Sequence, residues 1–228
     1  MPRVIAFDVN ETLLDLSPLD PLFERVFGSE APRPQWFAQM LQLGFVGGLT
    51  GRYVDFPSAQ RAALTMLAET TGTRLDPADG ERIVGQMRRL PPHADAAPAL
   101  GRLRQTQLTL VALTNSPLEV ARDQLRHAGL TDRFDAILSA DQVQALKPRP
   151  EPYDLVARTF DVKADDVRLV SAHAWDISGA LAAGCAAAFV SRPGKVLSPI
   201  GDQPDITGTD LLEVAERIAT ADGRPPSP

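Results

Sequence analysis

Short apolar runs rich in β-branched residues recur at wide spacing along the chain, at residues 4–9, 108–114, 136–139, 167–172 and 187–190. Each is bounded by polar or turn-forming residues, the pattern of strands buried on both faces of a parallel sheet. Helical spacing fills the intervals. In SPLEVARDQLRHAG, Ser116 is expected to cap a helix with Pro117 in its first turn. Glu119 would complete a capping box and Gly129 would lie past the end. Leu118, Ala121, Leu125 and Ala128 then share one face. A second helix is predicted over about residues 175–183, closed by Gly184. Strands alternating with helices predict an α/β fold with a parallel sheet.

The first strand breaks the alternation. About 100 residues separate it from the second, and they read as helices at 21–26, 36–46, 58–70 and 79–88. The expected architecture is therefore a Rossmann-like core, residues 1–14 and 92–228, with a helical cap inserted at 15–91 after the first strand. Open α/β sheets bind ligands at the carboxyl ends of their strands, which directs attention to Asp8. The closing residues 223–228, rich in proline, have no periodicity and read as a frayed tail.

Composition narrows the class. The 44% hydrophobic share among 228 residues is enough for a substantial core. The net charge of −6 argues against a nucleic-acid partner. A single cysteine excludes an internal disulfide and a multi-cysteine zinc site, and the three histidines (His93, His127, His173) form no metal-binding pair. The start MPRVIAFDVN has no signal-peptide pattern and no apolar run reaches 18 residues, so a cytoplasmic protein without a membrane partner is expected. An acidic chain can still bind an anion, but only with local help.

Four strand ends carry chemistry. Asp8 follows the first strand; Thr114, Asn115 and Ser116 end the second; Lys147 follows the third; Ser171, His173, Trp175 and Asp176 follow the fourth. In a parallel sheet these ends share one edge, so two carboxylates, an amide, hydroxyls, an amine and an imidazole converge. Elsewhere the residues read as ordinary structure. The glycine-rich stretch 44–51 fits no phosphate loop, Cys185 is expected to be a small buried hydrophobe, and Trp36 and Phe45 suit either a pocket or the cap core.

The order D-x-x-x-T-L from Asp8, then T-N at Thr114, K-P at Lys147 and a fourth motif ending at Asp176 resembles the haloacid dehalogenase superfamily over essentially the whole chain. Most of its members are Mg²⁺-dependent phosphatases. Here Asn10 replaces their acid/base aspartate, and Ala172 replaces a metal-binding one. The stretches FDVNETLLDL, GRYVDF and SAHAWD resemble instead the metal-independent (S)-2-haloacid dehalogenases.

That resemblance implies no cofactor, a small anionic 2-haloalkanoate as substrate, and a homodimer. Asp8 would attack the halogen-bearing carbon and form an ester that water then hydrolyses. Lys147, Thr12 and Ser171 would keep Asp8 ionised. Val9, Asn10 and Thr114 would hold the substrate carboxylate through backbone N–H groups, and Asn115 would hold the halide. Tyr153 and Trp175 match binding positions of the family, and Asp176 matches the residue that positions or activates water. The alternatives are the same ester chemistry on another small substrate, a Mg²⁺ phosphatase, and a catalytically silent binding protein.

Two positions depart from the family pattern. Its cap-helix arginine falls on Phe37, with Arg33 off register and Arg52 inside GRYVDF. Losing that charge-assisted contact would cost roughly 2–4 kcal/mol of transition-state stabilisation. His173 stands where an asparagine is usual, either as a hydrogen-bonded filler or as a base for the water step together with Asp176.

Overall fold

A computed structural model of the chain describes residues 2–223, so the tail reading at 224–228 lies outside the described residues. Six strands, β1 (Val4–Phe7), β2 (Thr109–Thr114), β3 (Ala136–Ser139), β4 (Val167–Ser171), β5 (Ala186–Val190) and β6 (Ile206–Gly208), form one sheet. Its order is β3-β2-β1-β4-β5-β6, with every pairing parallel. The chain winds outward from β1 in both directions, so the switch point lies at β1 and β4, where open sheets place their ligands.

The helices are α1 (Asp20–Phe27), α2 (Pro32–Leu49), α3 (Phe56–Thr71), α4 (Pro77–Gln86), α5 (Ala96–Leu103), α6 (Leu118–His127), α7 (Pro150–Thr159), α8 (Ala174–Ala182) and α9 (Leu211–Ala221). The helical excursion α1–α4 leaves and returns through two passages lying side by side. Asp15 N–H donates to the Pro91 carbonyl at 2.9 Å, and His93 N–H donates to the Leu13 carbonyl at 2.8 Å. The excursion has its own core, in which Phe23, Trp36, Met40, Leu64 and Ile83 are fully buried. Trp36 also donates its indole N–H to the Gln60 carbonyl at 3.0 Å, so it packs the interior of the helices.

The expected capping box at Ser116 does not form. Helix α6 starts one residue beyond Pro117 with no side-chain cap, because Ser116 turns inward. Its Oγ lies 3.3 Å from Asn10 Nδ2 and its carbonyl accepts from Ser139 Oγ at 2.7 Å. Glu119 pairs instead with Arg88. The buried face of α6 is Val120, Ala121, Gln124 and Leu125, with Leu118 and Ala128 only half-buried. Helices α5, α7 and α9 and strand β6 escape the apolar-run reading. β6 has only three residues, and α7 opens on prolines that mark a boundary as well as a helical first turn.

Candidate active site

Asp8 is the first residue past β1, its side chain 7% exposed. The strand's own ladder ends there, and the Asp8 N–H reaches the Val170 carbonyl of β4 at 3.0 Å. Lys147 comes in from the loop after β3 and is fully buried. Its ammonium donates to Asp8 Oδ1 at 2.8 Å, Asp176 Oδ2 at 2.7 Å and the Leu113 carbonyl at 3.1 Å. An ammonium has three N–H donors, and all three are spent. Thr12 donates to Asp8 Oδ2 at 2.7 Å and accepts the Ala172 N–H at 3.0 Å, which fixes its hydroxyl.

Burial works to raise the Asp8 pKa, but the Lys147 ammonium, His173 and the Thr12 hydroxyl outweigh it and hold the carboxyl below its ordinary range. Asp176 is pushed the other way. Its burial is complete and the Asp8 charge adds to it, against the pull of Lys147. Burial also works against the Lys147 ammonium, yet its two carboxylates keep its pKa above the usual value. Two neighbouring carboxyls thus have opposed proton affinities, the condition for assigning them different roles.

Tyr153 on α7 donates its hydroxyl to Asp176 Oδ1 at 2.6 Å and is 1% exposed. It stands behind Asp176 rather than at a substrate surface, so its expected contact with substrate is corrected to a positioning one. Gly179 on α8 permits this approach. A Cβ there would lie 2.6 Å from the Tyr153 hydroxyl and 2.5 Å from Pro148 Cβ.

The Asn115 amide donates one N–H to the Lys147 carbonyl at 3.2 Å and accepts the Lys147 N–H at 2.8 Å, so it clamps the lysine's backbone while these contacts leave the second Nδ2–H unused. The Asn10 side chain turns to α6, donating to Ser116 and accepting from Gln124 at 2.9 Å. Thr114 Oγ1 caps the turn by accepting the Ser116 N–H at 3.1 Å. Ser171 Oγ accepts the His173 N–H at 3.1 Å and is not among the partners of Asp8. Val9 is buried in the core.

His173 does not join Asp176 as a base. It makes no hydrogen bond to Asp176 among the described residues, and its Nε2 faces three other acceptors: the Asn10 carbonyl at 3.2 Å, Glu11 Oε2 at 3.6 Å and Asp8 Oδ2 at 3.7 Å. A carbonyl can only accept, so Nε2 carries a hydrogen and acts there as a donor. The ring stacks on Phe37 of α2, centroids 6.0 Å apart, and on Trp175 at 5.2 Å. Trp175 in turn lies 5.8 Å from the Lys147 ammonium and packs edge-on against Phe45. Its indole N–H is buried without a partner among the described residues. Beyond Trp175 opens an apolar groove of about 740 Å³ between α2 and α8.

No arginine of the α1–α4 excursion reaches this cluster. Arg33 pairs with Asp20, and Arg52 is exposed. Two polar residues not predicted from sequence do reach it. Glu11, next to His173, accepts from Lys195 Nζ at 2.6 Å, and that ammonium lies 5.9 Å from the centre of the Phe37 ring. The same rule that picks out the first four strand ends applies here, since residues 191–195 follow β5 directly.

The donor set does not suit Mg²⁺. The Lys147 ammonium fills the gap between Asp8 and Asp176, Asn10 is committed to α6, and residue 172 is alanine. Cys185 is no nucleophile either, because burial pushes its thiol up to about 12.

The family model described as haloacid dehalogenase-like hydrolase matches residues 2–184. The chain is 30% identical over 222 residues to the (S)-2-haloacid dehalogenase of Pseudomonas sp. (strain YL), covering 96% of each chain. It is 29% identical over 219 residues to haloacetate dehalogenase H-2 of Moraxella sp. (strain B), covering 95% of this chain and 98% of that one. A solved structure of the L-2-haloacid dehalogenase from Xanthobacter autotrophicus with chloropropionic acid covalently bound superposes with a TM-score of 0.89 at 27% identity. That match covers 98% of this chain and 100% of the other.

Proposed function

The chain belongs to the haloacid dehalogenase-like hydrolases, and on that premise we propose that it hydrolyses (S)-2-haloacids to 2-hydroxy acids through an ester on Asp8. The observation that carries the reading is the Asp8–Lys147–Asp176 arrangement, a depressed carboxylate beside an ammonium where a metal would otherwise be needed.

Asp8 Oδ1 is tied to Lys147, whereas Oδ2 looks past Thr12 toward His173 and the cap. Oδ2 is accordingly the attacking atom. It forms a bond to C2 of the substrate, and the halide leaves with the electron pair of the carbon–halogen bond. Oδ1 remains as the ester carbonyl oxygen, still facing the Lys147 ammonium. Water adds to Asp8 Cγ and the negative charge collects on Oδ1, where Lys147 stabilises it. Asp176, with its raised proton affinity, takes the proton of that water and returns it as the Cγ–Oδ2 bond breaks. The hydroxy acid then departs with the former Oδ2, and Asp8, left as a carboxylic acid on the oxygen from water, loses that proton to solvent and regains its carboxylate. The helices over residues 15–91 act as the cap that keeps bulk water from the ester.

The test is halide release from 2-chloropropionate with EDTA present, beside p-nitrophenyl phosphate with Mg²⁺. Halide release that survives EDTA and disappears in Asp8→Asn supports the reading. Phosphatase activity requiring Mg²⁺, without halide release, would overturn it. In H₂¹⁸O, a single turnover should leave the heavy oxygen on Asp8, and product should acquire it only in later turnovers.

A further inference from the structure

The charges around Asp8 do not by themselves welcome an anion. Asp8, Asp176 and Glu11 are three carboxyls set against two ammoniums, Lys147 and Lys195. Lys147 has no donor left for a newcomer. A halide acquires a full negative charge as it departs, and a further cation beside the neutral donors would stabilise it.

Lys195 is built to reach that point. Its N–H closes a turn onto the Arg192 carbonyl at 2.9 Å, with Gly194 at φ +75° in the position that needs a left-handed residue. Arg192 clamps the turn in place. Its guanidinium grips Asp95 at 2.7 and 2.8 Å and the Thr12 carbonyl at 2.8 and 3.2 Å. Those contacts use four of the five guanidinium N–H donors and anchor the turn to the loop that carries Asp8. Glu11 completes the arrangement from a left-handed conformation, φ +61°, rare for a long side chain. The Lys195 side chain is 26% exposed and keeps a free four-carbon stem to move along.

From these contacts, and resting on the dehalogenation reading, we infer that Lys195 is the cation that receives the leaving halide, and that Glu11 holds it in the resting site. Displacement proceeds in line, so the halide departs from the face of C2 opposite Asp8, toward the cap. The Lys195 ammonium already lies over the cap residue Phe37. As the carbon–halogen pair moves onto the halide, Lys195 swings from Glu11 to the new anion. Glu11 passes to the His173 Nε2–H, 3.6 Å away. No proton is transferred in this step.

Such a contact acts mainly in the transition state, so it should appear in kcat more than in KM. Lys195→Met is expected to lower kcat on 2-chloropropionate about tenfold or more, and less on 2-bromopropionate, whose halide needs less assistance, with KM within about threefold. Lys195→Arg should restore most of the rate. In the resting protein, bromide titrated against tryptophan fluorescence should bind about tenfold more weakly to Lys195→Met and more tightly to Glu11→Gln, which removes the competing carboxylate. Unchanged kcat and bromide binding in Lys195→Met would refute the halide role, as would a change confined to KM. Lys195-dependent bromide binding in a wild-type protein that releases no halide would keep this site and defeat the dehalogenation reading instead.

Discussion

The Phe37 ring lies flat against the His173 imidazole, 15° from parallel with centroids 6.0 Å apart. The two positions at which this chain departs from the (S)-2-haloacid dehalogenase pattern are thus one contact. An aromatic ring packs well on an imidazole, and an uncharged side chain at position 37 adds no second cation beside Lys195. Aromatic pairs of this kind contribute about 0.5–1.5 kcal/mol beyond the area they bury. A double-mutant cycle of Phe37→Leu with His173→Asn, read by urea unfolding, should return a coupling in that range. Simple additivity would mean that the two departures are independent.

Lys147 separates two carboxylates in a dry environment, so its loss should cost more than activity. Lys147→Met leaves Asp8 and Asp176 buried and uncompensated, a change worth about 3–5 kcal/mol of stability. Denaturant unfolding at pH 7 should register that loss. Much of it should be recovered in Lys147→Met/Asp176→Asn, which removes one of the stranded charges. Halide release should be abolished in both.

Tyr153 acts on Asp176 alone. In Tyr153→Phe the carboxyl loses a hydroxyl donor that lowers its pKa, so the pKa rises further. If Asp176 must be ionised to accept the water's proton, the acid limb of the kcat profile moves to higher pH. Stability should fall by about 1–3 kcal/mol, the cost of an unpaired buried acceptor. A profile that keeps its acid limb while stability drops would confine Tyr153 to packing.

The clamp behind Lys195 has its own pH signature. Burial works to raise the Asp95 pKa, but Arg192 and the Leu211 N–H outweigh it, so the folded value lies below the unfolded one. Asp95 therefore contributes stability that is fully present above about pH 4, its unfolded value, and is lost as pH falls through the depressed folded value. Asp95→Asn should be less stable than wild type at pH 7, with the gap closing in acid. A gap that stays constant down to pH 2 would show that the carboxylate charge contributes nothing.

Asp8, Lys147 and Asp176 were legible from sequence because each lies in the segment that follows an apolar run, and parallel strands bring such ends together; Thr12 followed from its spacing in the D-x-x-x-T-L motif. The five principal strands and the long helical excursion follow from the same local spacing, the strand boundaries within two residues and α2 longer than expected, 32–49 against 36–46. What the sequence by itself determined was the α/β class, the edge on which chemistry collects and the residues that could carry it. Tertiary structure decided where the side chains point. It turned Asn115 and Asn10 inward to hold backbone and α6, put Tyr153 behind Asp176, and kept Ser116 from capping its helix. It also brought Glu11 and Lys195 together from 184 positions apart. The physical reason is burial. A polar atom removed from water takes whichever partner the folded chain brings within reach, and no local pattern encodes which one that will be.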